Sequence, residues 1–592
     1  MVWTEEAMAT SQQTTMEQWC KYGLQTRSIR LRDDMVRIFT RGKVASWADL
    51  VRLAEDVRRH DQRARSLWSP LDVSFLSSIA KMVMSQRVIA SDLDDGLAVF
   101  DAIQAVSGDQ ALAQNNRLAI CDAISELGRH EDLVQAISKY DIASFNPKQA
   151  ALLAANAYDP RHDSETALWL QLVNAALSED DLSPVDLSSN RGPTLDNLSC
   201  ITRPGSVEGP LVTAIVPTHN PGPEIYTAVR SLILQTWANL EILVMDDASD
   251  PEYKSGINAL EDLDPRITVV HSSPNRGSYF VRNLAVSQYT HGDFITVHDD
   301  DGWSHADKIA FQMAYLLDTG KAGVTCNTIG VTDNCRFLRM GEPISYTRMS
   351  YASYMVQRSI FRHIGYWEPL RGDADRGFLL RLQSWQSSAV PLLGKTPWIF
   401  QRVRADSLSN GEVARGYIAS SCRWHEWLDI SRLAREKSTG RRLYQGVGLA
   451  SQPNKEPYAL QRLLPNTPTP LYLNDIVMAH WGKENPDLDK AIEKVRELRQ
   501  SGHTVGLVHV DSPYLGVAEG ISADLMDLIE DDDVFILSME DDVSVETAWV
   551  LEPSGCWLAE SPEPKLKVQK IVCPCGKGTE KCYLKCQIDI AE

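Results

Sequence analysis

The sequence predicts a multi-domain α plus α/β chain: a helical amino-terminal domain, a central domain on a Rossmann-like, mostly parallel sheet, and a small carboxyl-terminal α/β unit. Three observations predict it. At 592 residues the chain exceeds the usual size of one domain. Before residue 177 apolar residues recur at helical spacing, and from Leu211 short apolar runs alternate with amphipathic ones. That alternation implies parallel strands joined by right-handed crossovers.

Composition narrows the function classes. A hydrophobic content of 43% and a charged content of 23% are those of a soluble globular protein. A formal charge of -20 argues against nonspecific binding to nucleic acid. No run approaches the 18 or so apolar residues of a membrane span. The opening MVWTEEAMATSQQ lacks a basic region followed by an apolar core, so no secretory signal is expected. Six of the eleven cysteines are scattered before residue 500, which suits reduced thiols and a cytoplasmic location.

Residues 1–177 read as one helical domain. Ser46 and Asp49 fit a capping box ahead of Leu50, Val51, Leu53, Ala54 and Val57. Leu118, Cys121, Ile124 and Leu127, then Gly128, then Leu133, Val134 and Ile137 make a helical hairpin that resembles one tetratricopeptide-type unit. The region has no cluster of acid, base and phosphate-binding groups. Its expected role is docking of a protein partner or acceptor, and a chain starting near Ser206 is expected to keep donor hydrolysis if it folds. Residues 178–210 read as a linker, with Pro184, Pro193, Pro204 and Pro210 each set to interrupt a helix.

Three predicted strands of the central domain, residues 211–435, deliver polar clusters to one sheet edge. The first ends in Pro217, Thr218, His219 and Asn220, and the second in Asp246 and Asp247. The third of these is Phe294–Val297, which ends in His298 and the three carboxylates Asp299, Asp300 and Asp301. Ligands of open α/β sheets bind at this carboxyl edge. Three adjacent acids repel one another unless a cation joins them, and a hard divalent ion that also touches phosphate is the natural one. Asp246 and Asp247 can accept from a nucleobase imide or form an Asx turn. Arg276 and Arg282 can pair with phosphate or with the acidic cluster.

In order, IVPTHN, VMDDASD, NRG, Arg282 with Asn283, and DFITVHDDDGW resemble the family 2 glycosyltransferases, over about a third of the chain. The resemblance implies a GT-A fold and an inverting sugar transfer from a nucleotide-activated donor, a UDP-sugar foremost, to a glycan or lipid-linked acceptor in cell-surface polysaccharide synthesis. It implies a cytoplasmic enzyme, soluble or peripheral at the inner membrane face. By the family pattern Pro217, Thr218, Asn220, Asp246, Asp247, Arg276, Arg282 and Asp299 would meet the donor. Asp300 with Asp301 would hold Mg²⁺ or Mn²⁺ on the diphosphate. His298 stands where many relatives have the first acid of the motif. The base of the family lies six residues before an arginine, which selects Asp375 ahead of Arg381, with Asp373 in reserve. A helix amino terminus also favours Asp there. The alternatives are a catalytically inactive scaffold acting through its helices, and a nucleotidyltransferase. The latter is disfavoured because no Gly-rich basic loop follows the first strand.

Residues 436–470 read as a connector, and 471–555 as an α/β unit resembling part of a GT-B domain. In the tail, 556–592, Cys573, Cys575, Cys582 and Cys586 offer four thiols, in a spacing unlike common zinc fingers. A disordered tail is expected over a zinc site.

Overall fold

The computed structural model describes residues 15–157, 166–177, 182–189, 192–340, 345–386, 392–404, 413–414, 417–439, 457–461, 471–511, 520–551, 565–572 and 589–590. Cys573, Cys575, Cys582 and Cys586 lie outside them. No helix among the described residues is long and apolar enough to cross a membrane.

Eleven α-helices among the described residues, from Met16–Thr26 to Thr166–Leu177, build the amino-terminal region. Ser46 caps the Trp47–Arg58 helix, its hydroxyl accepting the Asp49 N–H at 3.1 Å. The helices Gln114–Glu126 and His130–Lys139 meet at Gly128, as their apolar stripes require. The core of this region runs on into the central domain. Trp303, Ile329, Val331, Phe337 and Phe400 share one apolar cluster with Trp19, Leu76 and Phe100. Asn156 seals the junction: its amide donates to the Phe337 carbonyl at 2.8 Å and accepts the Phe337 N–H at 2.7 Å.

The stretch expected as a linker is docked instead. β1 (Val185–Leu187) pairs antiparallel with β2 (Leu198–Cys200). The Leu195 N–H donates to the Asp333 carbonyl, and the Ser183 N–H to the Asp307 carboxylate. Strands of three residues are too short for periodicity to reveal.

The central sheet has ten strands: β3 (Val212–Thr218), β4 (Leu240–Asp247), β5 (Ile267–Ser272), β6 (Phe294–Val297), β7 (Trp303–Ser304), β8 (Gly323–Val331), β9 (Phe337–Leu338), β10 (Thr347–Met349), β11 (Met355–Gln357) and β12 (Leu392–Arg402). Their order is β5-β4-β3-β6-β11-β8-β12-β7, with β9 and β10 also on β8. The strands β5, β4, β3 and β6 are parallel, and β11 runs against β6 and β8. The register aligns Thr218 with Asp246 and Asp246 with His271, so three strand ends bring polar groups level. Past β6, the far half of β8 with β10 and β12 forms a wall beside that edge.

After a ribbon of β13 (Val413–Ala414) and β14 (Tyr417–Ile418), the Ser420–Thr439 helix leads toward a second sheet. This sheet holds β15 (Leu471–Ala479), β16 (Val505–His509), β17 (Val534–Leu537), β18 (Val543–Val550), β19 (Lys567–Val572) and β20 (Asp589–Ile590), all parallel. The order β17-β16-β15-β18-β19-β20 is that of a doubly wound sheet. The expected disordered tail therefore supplies two strands. Val568 is fully buried and Ile571 nearly so, while Gln569 and Lys570 between them face out, which gives the stretch a weak strand period.

Candidate active site

Arg282 is the centre of the site. The Ser278–Leu284 helix puts it next to Tyr279, one turn away, with the guanidinium 4.8 Å from the ring centroid. Its Nη1 donates to Asp375 Oδ1 at 3.0 Å, and its Nη2 reaches Asp299 Oδ1 at 3.5 Å. Burial opposes its charge, yet Asp375, Tyr279 and Asp299 together hold it more firmly protonated than usual. Asp375 also accepts from the hydroxyls of Tyr279 and Tyr354, each at 3.0 Å. Burial beside that carboxylate pushes both phenols well above their ordinary value. The structure thus brings together Asp375 and Asp299, which lie 76 residues apart in sequence. The two tyrosines that hold Asp375 come from different elements, and only the fold joins them.

Asp373 is the N-cap of the Ala374–Trp385 helix, at φ 61°, a left-handed conformation rare outside glycine. Its carboxylate lies 3.3 Å from His425 Nδ1, on the Ser420–Thr439 helix. It points away from the Arg282 cluster, which separates the roles of the two acids.

The three adjacent carboxylates diverge. Asp299 turns to Arg282, and its side chain is about half open to solvent (48%) although it sits deep in the cleft. Asp300 accepts from the Thr218 hydroxyl. Asp301 keeps its carboxylate near Arg402 and Arg404, and its backbone carbonyl accepts from Arg402 Nε at 3.0 Å. Burial first, and then repulsion from neighbouring acids, raises Asp300 to about 6 and Asp301 to about 7. No three Asp, Glu, His or Cys side chains converge as a metal cage among the described residues. Two acids raised by burial still fit an ion that takes one or two carboxylates and completes its shell with phosphate oxygens. His298 is buried, and burial and Lys308 bring it down to about 3, so it is a neutral core group.

At the carboxyl end of β4 its last two residues, Asp246 and Asp247, face inward. Asp246 is fully buried, with His271 Nδ1 at 2.6 Å from one oxygen and the Ser249 N–H at 2.9 Å from the other. Burial pushes its carboxyl up, but those bonds outweigh it and leave it below the ordinary range. Asp247, also buried, accepts the Arg276 N–H at 2.9 Å and the Gly277 N–H at 2.6 Å. Burial outweighs those donors and leaves it raised. Each of these oxygens accepts one bond within the protein, which leaves acceptor capacity on both carboxylates. Asn220 ties the loops after β3 and β4, its amide donating to Asp250 at 2.9 Å. The Arg276 guanidinium lies 4.6 Å from the Phe280 ring centroid, away from the acidic cluster. Pro217 is buried inside β3. His271 had no signal in the sequence, because its place beside Asp246 depends on strand register.

A small cavity of about 20 Å³ opens between the acidic turn and the wall. Asp299 and Asp301 line it on one side, and Thr328, Ser350 and Gln401 on the other.

Residues 213–373 match the family described as Glycosyl transferase family 2. An uncharacterized glycosyltransferase of Haemophilus influenzae is 29% identical over 108 residues, 18% of this chain and 43% of the relative. The UDP-Glc:alpha-D-GlcNAc-diphosphoundecaprenol beta-1,3-glucosyltransferase WfgD of Escherichia coli is 34% identical over 107 residues, 18% of this chain and 41% of the relative. Glycosyltransferase GlyG of Streptococcus pneumoniae is 30% identical over 91 residues, 15% of this chain and 30% of the relative. The chain thus spans less than half the length of each of these relatives. The solved structure of S. aureus TarS 1-349 in complex with UDP-GlcNAc overlaps 39% of this chain and 67% of its own, at 16% identity and a TM-score of 0.31, too loose a likeness to carry weight. The segment that matches Glycosyl transferase family 2, 213–373, lies in sequence between a helical region and a parallel carboxyl-terminal sheet.

Proposed function

We propose that the chain transfers a sugar, with inversion, from a UDP-sugar to a hydroxyl of a glycan or lipid-linked acceptor, in the synthesis of a cell-surface polysaccharide. The observation that carries this reading is Arg282, which joins a candidate base, Asp375, to Asp299 of the acidic turn. Proton acceptor and diphosphate end are thereby held on one guanidinium, as a single displacement needs. The printed name of WfgD, a transferase using UDP-Glc and a lipid diphosphate, supports the donor and acceptor classes. Such an acceptor would place the chain in the cytoplasm, at the inner membrane face.

Asp375 takes the proton of the acceptor hydroxyl as that oxygen attacks the anomeric carbon. Tyr279, Tyr354 and Arg282 fix the carboxylate, leaving about one of its four lone pairs for the incoming hydroxyl. Asp300 and Asp301 are the groups that would hold Mg²⁺ or Mn²⁺, which would supply positive charge against the negative charge growing on the leaving diphosphate. Thr218 orients Asp300, and Asp247 shapes the Arg276–Gly277 turn that borders the nucleoside end. Asp246, Asn220 and Pro217 brace that end from within, and Asp373 sets the start of the helix that carries Asp375.

The test is a pair of substitutions. Asp375→Asn keeps the shape and lowers transfer by roughly two to four orders of magnitude, the scale of a general base, while UDP binding in the presence of Mn²⁺ holds. Asp300→Asn weakens both. Calorimetry with UDP and a transfer assay read the two effects, and thermal melting confirms that each variant is folded. Full transfer by the Asp375→Asn variant would falsify the assignment of the base, and absence of any nucleotide binding would remove the enzyme reading.

A further inference from the structure

The wall facing the acidic turn carries an arginine with no carboxylate partner among the described residues. Arg348 lies in β10 directly opposite Thr328 of β8 in an antiparallel pair, which puts the two side chains on one face of the sheet. Thr328 and Ser350 line the cavity shared with Asp299 and Asp301. Arg348 is half-buried, and the charge-bearing neighbour it senses is the Tyr351 phenol. Burial without a carboxylate draws its guanidinium below the ordinary value.

Five other arginines around the site are matched, while Arg276 lies over the Phe280 ring with no carboxylate partner among the described residues. Arg282 has Asp375, Arg376 has Glu426, Arg381 has Glu368, Arg402 has Asp196 and Asp333, and Arg404 has Glu224. In a chain of formal charge -20, carboxylates are plentiful. A guanidinium half out of water with no partner is a standing cost to the fold, and a bound anion would remove it. The planar fork of arginine suits the paired oxygens of phosphate or carboxylate.

Position indicates which substrate would bring that anion. The nucleoside end lies over β3, β4 and β5, on the far side of the acidic turn from β10. The segment from Arg348 continues through Tyr351, which is exposed, to Tyr354, whose hydroxyl donates to Asp375. Arg348 therefore stands on the side where an acceptor hydroxyl approaches Asp375. We propose that Arg348 binds an anionic group, a phosphate or a carboxylate, carried by the acceptor. The word acceptor rests on the transfer reading above; the anion site itself does not.

The full chain, saturated with UDP and Mn²⁺ so that donor phosphate contacts are filled, is titrated by calorimetry with octyl phosphate, octanoate and octyl glucoside. One of the two anions is expected to bind at a single site. Arg348→Gln should weaken it about tenfold or more, the loss of one charge-assisted hydrogen bond. Arg348→Lys, which keeps the charge and loses the fork, should weaken it less, and octyl glucoside should be indifferent to both. Preference for octyl phosphate assigns a phosphorylated acceptor, and preference for octanoate an acidic sugar. The proposal is overturned if neither anion binds the unaltered protein, if Arg348→Gln binds as tightly, or if rising UDP displaces the anion. Melting curves show whether Arg348→Gln is folded, and the lysine variant keeps the comparison if it is not. Arg348-dependent anion binding in a protein that binds no UDP would sink the transfer reading and leave the anion site standing. UDP binding with no anion binding would do the reverse.

Discussion

Arg282 answers to two carboxylates at once, and that double duty makes it expensive to remove. Its side chain is 5% exposed and that of Asp375 is 11%. Arg282→Met should lower stability by about 3–5 kcal/mol, because it leaves a buried carboxylate unpaired; urea denaturation measures it. Asp300 and Asp301 give a second expectation, with a definite sign. Their folded values, about 6 and about 7, lie above the ordinary carboxyl value near 4. The folded state therefore holds these protons more tightly than the unfolded chain. The stabilisation this gives is complete below the unfolded value and is lost as pH rises through about 6 to 7. In EDTA, the melting temperature should fall across that window, and Asp301→Asn should remove much of the slope. Mn²⁺ with UDP should flatten it too. At this scale the sequence was legible where spacing along one element sufficed: Asp375 precedes Arg381 by six residues, and the three acids are adjacent. Tyr279, Tyr354 and His271 were not legible as partners, because each meets its carboxylate across the fold.

The Ala374–Trp385 helix is held by the Ser420–Thr439 helix through a contact that only glycine permits. A Cβ on Gly377 would fall inside contact distance of Asp429 Oδ2 and 3.4 Å from His425 Cε1. Beside that contact Arg376 pairs with Glu426 at 2.8 Å. Gly377→Ala should force the helices apart, at about 1–3 kcal/mol for overpacking, and displace Asp375 two residues away. Denaturation gives the stability loss, and the transfer assay should fall while UDP affinity holds. The same helix faces the second sheet with Trp424, Trp427 and Leu428, packed among Val477, Ala479 and Leu507. Arg423 pairs there with Asp511 at 2.6 Å. The parallel strands of the central sheet were legible because each is a short apolar run ending in polar residues. The β1–β2 ribbon and β19 were not, since strands this short or this polar carry too little period.

The helical region and the central domain share one core, and this bears on an expectation drawn from the sequence. Nothing in the composition of residues 1–177 pointed to the site, so a chain starting near Ser206 was expected to keep donor hydrolysis if it folds, and the shared core weighs against that condition. Trp303, two residues beyond Asp301, is packed in the helical region's own cluster together with Phe337 and Phe400. Removing the helices would expose this apolar back. The truncated chain is expected to aggregate or melt well below the full chain and to lose UDP binding, as light scattering and calorimetry would report. A soluble truncation with unchanged UDP affinity would show that the shared core is dispensable. The division into helical, central and carboxyl-terminal regions was legible from the change of period near Leu211. Their fusion was not, because the joining residues look like any other buried aromatics.

The placement of Trp303 also bears on grafting. A transferase domain exchanged between relatives is usually cut where the family match begins and ends, here 213 and 373. Such a cut would lift Trp303, Val331 and Phe337 away from the helices shaped around them, and would leave both Asp375 and Phe400 behind. An incoming domain must therefore be fitted on its back as well as at its mouth, so donor preference in this chain is better redrawn residue by residue than by exchange of the whole domain.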